Sequence, residues 1–259
     1  MVSETLIFIL AGFATGIITG LVGASAIIVF APLILIFFDY NAFTLIGISL
    51  ALDIFVSLGA LFTYKRYKHI DLKTGVYLSI LAIIGAIIGS YISRSISNND
   101  LVGVTSLITA FTGIMLFRKK VDVKKEVNNV KNYSKTKFWI AIIASFFVGL
   151  IGGSLGAAGG VTILLLLIFI LNFETHSAIG TSIFVMFFVA LFGALVHIYY
   201  ISSMNFQWSL LFFAIVGGVL GSIFSAKSAN WIKEQNLNKL IGVLLFILGI
   251  ATFLHRIVL

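Results

Sequence analysis

Apolar residues fall into eight long runs separated by short polar stretches: residues 6–38, 43–64, 74–92, 101–117, 138–171, 178–200, 208–226 and 237–254. Six have the length of roughly 17 to 25 residues that carries a helix across a hydrocarbon core of about 30 Å. The other two, 6–38 and 138–171, are too long, because about 34 residues would rise roughly 51 Å as one helix. They are expected to break, and glycine marks where. Residues 149–160 read Gly-Leu-Ile-Gly-Gly-Ser-Leu-Gly-Ala-Ala-Gly-Gly, and residues 16–26 form a weaker copy, Gly-Ile-Ile-Thr-Gly-Leu-Val-Gly-Ala-Ser-Ala. Pro32, the only proline, falls inside the first broken run. Non-helical backbone at membrane depth is tolerated where it is buried in protein or lines a cavity, and paired broken segments point to a transporter's binding site.

The order of runs recurs: one broken run, then three ordinary spans, twice. Shifting the chain by 133 residues places Gly16, Gly20, Gly23 and Ala24 on Gly149, Gly153, Gly156 and Ala157, then Gly47 on Gly180, Ser49 on Ser182 and Val56 on Val189. A shift of 132 places Gly85, Gly89 and Ser90 on Gly217, Gly221 and Ser222. This is the signature of duplication. It divides the chain into a first transmembrane repeat, 1–117, a basic linker, 118–137, and a second repeat, 138–259.

Charge then orients the halves. Of 17 Lys and Arg, eight lie between Arg118 and Lys137, four between Lys65 and Lys73 and three between Lys227 and Lys239. Basic loops face the cytoplasm. The link after span 43–64 is basic while its counterpart after 178–200 carries no formal charge, and the next pair of links reverses that pattern. Corresponding loops therefore face opposite sides, which predicts inverted repeats. Inversion needs an odd number of crossings per half, so each broken run must either fold back as a re-entrant hairpin or cross twice; a hairpin-like pair of short helices is the expectation, because about 34 residues are short for two crossings of about 20. The fold expected is an all-α polytopic membrane protein of about ten helical pieces, with the Arg118–Lys137 linker cytoplasmic and both termini outside.

Composition agrees: 60% hydrophobic and 10% charged residues with a mean hydropathy of +1.16 exceed what a soluble core buries. The net charge of +8 sits in loops and marks topology at a lipid surface, not nucleic-acid binding. Zero cysteines exclude disulfides and thiolate metal sites, and nothing calls for a cofactor. The N-terminus lacks a basic n-region, so the first run is expected to remain as a span.

Glycines spaced by four, such as Gly12, Gly16 and Gly20, read as close helix packing. The apices Gly23, Ala24, Ser25 and Gly156, Ala157, Ala158, Gly159, Gly160 read differently. Free N–H groups at a helix start form an anion site without a cationic side chain. No Lys or Arg lies within any span, so backbone dipoles and hydroxyls would hold the anion. The candidate hydroxyls are Ser25, Thr162, Ser49, Thr181 and Ser182, each with the alternative of bonding its own helix carbonyl. Asp53 is the one acid within a span, opposite Met186 in the repeat. Burying a carboxylate there costs on the order of 3 kcal/mol. It is the candidate for proton coupling or gating, against a neutral hydrogen-bonded carboxyl or a water-facing position. Asp39 and Glu174 occupy equivalent short links and read as interfacial. His176 and His197 flank span 178–200; with so few acids nearby, metal ligation is not expected, and His197 reads as an interfacial, snorkelling histidine.

These motifs resemble the TauE/SafE family of sulfite exporters, also called the toluene-sulfonate uptake permease family. The resemblance rests on Gly16-x3-Gly20-x2-Gly23 with Pro32, on Gly149-x3-Gly153-x2-Gly156-x2-Gly159-Gly160, and on Gly47-x-Ser49 and Gly180-Thr-Ser182. The chain departs from the family's Gly-Gly-Gly run at Ala24-Ser25-Ala26, and has Leu165 opposite Pro32. The resemblance implies transport of sulfite, organosulfonates or related small anions along the glycine-rich hairpins.

The function expected is a secondary transporter, an exporter, of small sulfur-containing anions held at the helix breaks of both repeats. Its partners would be the anion, the lipid bilayer and protons as coupling ion, and its glycine-rich faces and 25 Phe are compatible with a homodimer. A passive anion channel is the first alternative. The second is an intramembrane serine hydrolase, because Gly152-Gly-Ser154-Leu-Gly156 matches G-x-S-x-G and His197 lies on a later span; it requires a base positioned at the serine.

Overall fold

The computed structural model describes residues 2–38, 40, 42–95, 134–156, 159–201 and 208–233, with scattered positions in 107–118 and 236–254. Among the described residues there are eight α-helices and no strand. They are α1 (Val2–Val22), α2 (Ile27–Phe37), α3 (Ala42–Arg66), α4 (Leu72–Ile92), α5 (Lys135–Leu155), α6 (Gly159–Leu165), α7 (Thr175–Ile201) and α8 (Trp208–Ala229). A 3-10 turn, Ser93–Ser95, follows α4, and a π-helical turn, Leu166–Ile170, continues α6. Six of these helices are long and apolar enough to cross a membrane. Their outer faces are large and apolar, with Phe62, Trp139, Phe212 and Phe224 each more than half exposed. In lipid such a surface is solvated; in water it would associate. Spans 101–117 and 237–254 lie mostly outside the described residues, as does most of the basic linker.

Both long runs break. At about 1.5 Å per residue α2 rises only about 16 Å, and α6 with its π turn about 18 Å, so neither crosses a core of about 30 Å. The first pair folds back on itself. Phe8, in the first half of α1, meets the rings of Phe30 at 5.8 Å and Phe38 at 5.4 Å. Phe8 lies about 21 Å up α1 from Val22, so Phe38 reaches it only if α2 returns along α1. In the second pair, α5 packs not only on α6 but on Leu166–Ile170, which again requires return. Where α2 carries Pro32, the second return switches to π geometry at Leu166. There Leu171 N–H donates to Leu166 O at 3.3 Å and Phe173 N–H to Leu167 O at 2.9 Å.

Two glycine seams hold the bundle. Gly12 and Gly16 of α1 press against the carbonyls of Ala214 and Gly218 of α8; Gly149 and Gly153 of α5 press against those of Ala82 and Ala86 of α4. A Cβ at any of these positions would overlap a backbone oxygen. Lipid removes the hydrophobic drive between helices, so close backbone approach and interhelical hydrogen bonds supply the attraction. Ser225 donates to Gly16 O at 3.1 Å across one seam, and Ser145 to Leu78 O at 2.9 Å across the other. Each seam joins the first helix of one half to the last full span described in the other half. α3 and α7 pack together between them, α3 also on α8 and α7 also on α4. The helix pairs thus correspond when the halves are exchanged, as duplicated units predict.

Polar caps set the intervening turns. Asp71 accepts from Thr74 N at 3.2 Å at the start of α4, and Ser134 from Lys137 N at 3.3 Å at the start of α5. Asp71 N in turn donates to Thr181 Oγ1 at 2.9 Å, docking this turn on α7.

Candidate functional site

The two breaks are built on equivalent glycines. Gly23 and Gly156 both have φ of +70°, a left-handed conformation that glycine adopts without a Cβ penalty. Gly23 N–H donates to Thr19 O at 2.7 Å and Gly156 N–H to Gly152 O at 2.9 Å, closing α1 and α5 alike. The breaks also touch one another. A Cβ on Gly160 would overlap the Gly23 carbonyl, and Gly23 faces Ser182 and Ile183 of α7 while Gly156 faces Ile27 and Ile46. Gly159 packs against Gly152 and Val189.

α3 holds the first break from both sides. Tyr64, fully buried, donates from its hydroxyl to Gly20 O at 2.9 Å, one of the end carbonyls of α1. Ala26, at the N-cap of α2, has no side chain to cap with. Asp53 of α3 replaces that cap, its Oδ1 accepting from Ala26 N at 2.7 Å. Ser25 Oγ contacts both Asp53 Oδ2 and the Gly156 carbonyl, so one hydroxyl joins the two breaks. Thr19 Oγ1 donates to Ala24 O at 2.8 Å and steadies the turn. Asp53 lies about 16 Å along a helix of 25 residues. The junction therefore sits near mid-depth of the bundle, where Asp53 is fully buried.

The second break shares half of this arrangement. His197, which aligns with Tyr64, points Nε2 at Gly153 O at 3.1 Å, and Gly153 aligns with Gly20. His197 is therefore not a snorkelling interfacial residue: it is fully buried, its ring 4.4 Å from that of Phe43, and it pairs with the end of α5. At the position of Asp53 stands Met186, whose sulfur lies against Gly160.

The remaining sequence candidates divide. Ser49 Oγ and Thr162 Oγ1 are buried without a hydrogen-bond partner, as is Ser57 Oγ. Ser49, Asp53 and Ser57 are four residues apart and share one face of α3, so orphan hydroxyls flank the carboxyl one turn either way. Ser182 donates to Ile179 O at 2.9 Å within its own helix, beside Gly23. Thr181 is occupied by Asp71 N–H. Ala157, Ala158 and Asp39 lie outside the described residues. Ser57, Tyr64 and the Ala26 N–H were not singled out in the sequence; the alignment of Tyr64 with His197 and of Gly20 with Gly153 is the signal that identifies both cap pairs.

A hydrolase site is not assembled. Ser154 Oγ donates to Ile151 O at 3.3 Å, and His197 Nε2 addresses Gly153 O instead of the serine. Among the described residues no group of three or more His, Asp and Glu is placed to hold a metal. His69, His176 and Glu174 do approach each other where α7 begins. His176 Nε2 is 3.0 Å from Ile232 O, and its Nδ1 is 3.4 Å from Glu174, which holds the Glu174 carboxyl below its usual range.

Residues 8–252 match the family model described as Sulfite exporter TauE/SafE. The chain belongs to the TauE/SafE family. Two relatives of similar length come from Bacillus subtilis strain 168. The probable membrane transporter protein YunE is 23% identical over 94% of this chain and 95% of its own, and the probable membrane transporter protein YdhB is 26% identical over 91% and 95%. A probable membrane transporter protein from Xylella fastidiosa strain Temecula1 is 25% identical over 96% and 95%. No solved structure matches. Membership of this TauE/SafE transporter family, the all-helical fold and the six apolar helices make the chain a multi-pass membrane protein of a transport family.

Proposed function

We propose that this protein is a secondary transporter that exports small sulfur-containing anions such as sulfite or organosulfonates across the cell membrane. The observation that carries the proposal is the meeting of two helix breaks near mid-depth of the bundle. There Gly160, at the start of α6, meets the Gly23 carbonyl, Ser49 lies one turn from Asp53 on the same face of α3 with its hydroxyl unpaired, Thr162 follows two residues after Gly160 with its hydroxyl unpaired, and no Lys or Arg lies among them. Helix starts bind anions through N–H groups and aligned dipoles, and in a low-dielectric interior those partial charges count for more than in water. Weak, dispersed binding suits a carrier, which must release its cargo on each cycle.

Inverted repeats, with the 118–137 linker inside and both termini outside, let each half present its break to one side of the membrane in turn. The matched seams α1–α8 and α4–α5 support that reading, since they leave α3 and α7 as the central pair. Asp53 couples transport to protons or gates it. The test is sulfite flux in reconstituted vesicles. A carrier saturates with substrate and shows counterflow, and Gly159→Leu or Gly160→Leu abolishes the flux. Flux that neither saturates nor counterflows would mark an anion channel, and flux that survives both leucines would remove the breaks from the path.

A further inference from the structure

Ser25 has one proton to give and two acceptors within reach. A hydroxyl carries a single O–H and accepts through its lone pairs, whereas an ionised carboxylate and a backbone carbonyl only accept. With Asp53 ionised, the Ser25 proton serves either Asp53 Oδ2 or the Gly156 carbonyl, and the oxygen left over faces another oxygen with no proton between them. Leaving a buried acceptor unpaired carries the cost of its lost hydration with nothing to offset it. A proton on Asp53 Oδ2 removes the conflict: Oδ2–H donates to Ser25 Oγ, Ser25 O–H donates to Gly156 O, and Oδ1 still accepts from Ala26 N. Every oxygen in the chain is then satisfied once.

We infer that Asp53 is a proton-binding site whose occupancy, relayed through Ser25, latches the second helix break to the first. The inference deepens the transport reading and rests on it for its purpose, since a latch between halves matters only if the halves separate. When the proton leaves, Ser25 turns its hydroxyl to the carboxylate, Gly156 O loses its donor, and the hydrogen bond between the breaks is gone, leaving only the packing of Gly160 on Gly23. One hydrogen bond thus has two discrete arrangements, and the proton selects between them. The relay belongs to this chain's first half alone: Ser25 aligns with Ala158 and Asp53 with Met186.

No charged neighbour competes for the role. α3 is packed by α1, α2, α7 and α8, and faced through Ile46 by Gly156 at the end of α5. Their ionisable groups are Glu4 on α1, His176, His197, Tyr199 and Tyr200 on α7, Lys227 on α8 and Lys135 and Lys137 at the far end of α5; α2 has none. On α3 itself Lys65 and Arg66 lie in the last turn, and Tyr64 is bonded to Gly20 O. Among the described residues none of these pairs with Asp53. His197 is directed at Gly153 O and His176 at Ala229 O, Ile232 O and Glu174.

Infrared pH-difference spectra of the protein in lipid vesicles test this without any substrate. A protonated carboxyl band should vanish as pH rises, be absent in Asp53→Asn, and shift in Ser25→Ala, with Ser25→Thr restoring its position. In flux, the amide of Asp53→Asn donates permanently to Ser25, so the variant stays latched. Its rate should lose pH dependence and fall by about tenfold, the weight of one hydrogen bond of about 1.4 kcal/mol. No Asp53-dependent carboxyl band at any pH where the protein is folded, or a band unmoved by Ser25→Ala, would overturn the latch. A band that behaves as expected in a protein that moves no sulfite would overturn the transport reading and leave the proton site standing.

Discussion

At the break between α1 and α2, a carboxyl and a hydroxyl line the turn; at the break between α5 and α6, the corresponding described position is a thioether. Asp53 caps Ala26 N–H in the first, while Met186 lies against Gly160 in the second. Yet the ends of α1 and α5 are finished in the same way, by a left-handed glycine and by a side chain from the following full span, Tyr64 on Gly20 O and His197 on Gly153 O. Duplication therefore preserved what makes each helix stop and let the chemistry beyond the stop diverge. The stop is a backbone requirement that both halves must meet. The start of the returning helix is free to vary because any donor-satisfying group, or none, can face it.

The comparison can be broken most severely at the contact between the breaks. Gly160→Leu places a side chain on the Gly23 carbonyl, and overpacking against backbone should cost 3 kcal/mol or more at about the upper end of the usual range, with loss of transport and a sharp fall in folded yield in detergent. Exchanging the asymmetric pair comes next. Asp53→Met makes the first break resemble the second, leaves Ala26 N–H without its cap, and should lower flux by roughly 5- to 150-fold, the equivalent of about 1–3 kcal/mol. Met186→Asp would not compensate in the double variant, because Ala158 offers no hydroxyl to relay from; recovery of flux in that double variant would show the halves to be interchangeable.

Smaller effects should appear where the halves are alike. Tyr64→Phe and His197→Phe each remove one bond to an end carbonyl, and each should lower thermal stability by about 1 kcal/mol, within a factor of two of the other. Markedly unequal losses would mean that the two caps are not equivalent. Smallest is the effect at Glu174, which is partly exposed. Its carboxyl is held below its ordinary value of 4.5 by His176, so its contribution is complete above that value and is lost as pH falls through the lower folded-state value. Glu174→Gln should lower the neutral-pH melting temperature slightly, by the same small amount that the unaltered protein loses on its acid side, and so flatten the acid limb of the profile.

Much of this architecture was legible in the sequence, because membrane solvent leaves few options. Runs too long to be one crossing had to break, and Gly23 and Gly156 stood where they did. Asp53 stood out as a lone acid among apolar neighbours. His197 did not read correctly: polarity near the end of an apolar run suggests an interface, and only the fold reveals that an end carbonyl of α5 lies beside it. Ser57 was invisible for another reason, its repeat partner being Ala190, although its spacing of four from Asp53 places it on the same face. Contacts that join α3 to the first break and the two breaks to each other span 27 and 131 positions, Ala26 with Asp53 and Ser25 with Gly156, and no local pattern encodes them.

Transport as proposed requires that an anion bind where the two breaks meet. Selenite, a heavier analogue of sulfite, can be located in crystals of the protein by its anomalous scattering. A peak is expected within hydrogen-bond reach of the starts of α2 and α6, near Ser25 and Thr162, and it should disappear in Gly160→Leu. Peaks confined to the basic loops at the ends of α3 and α8, with none at the junction, would contradict it.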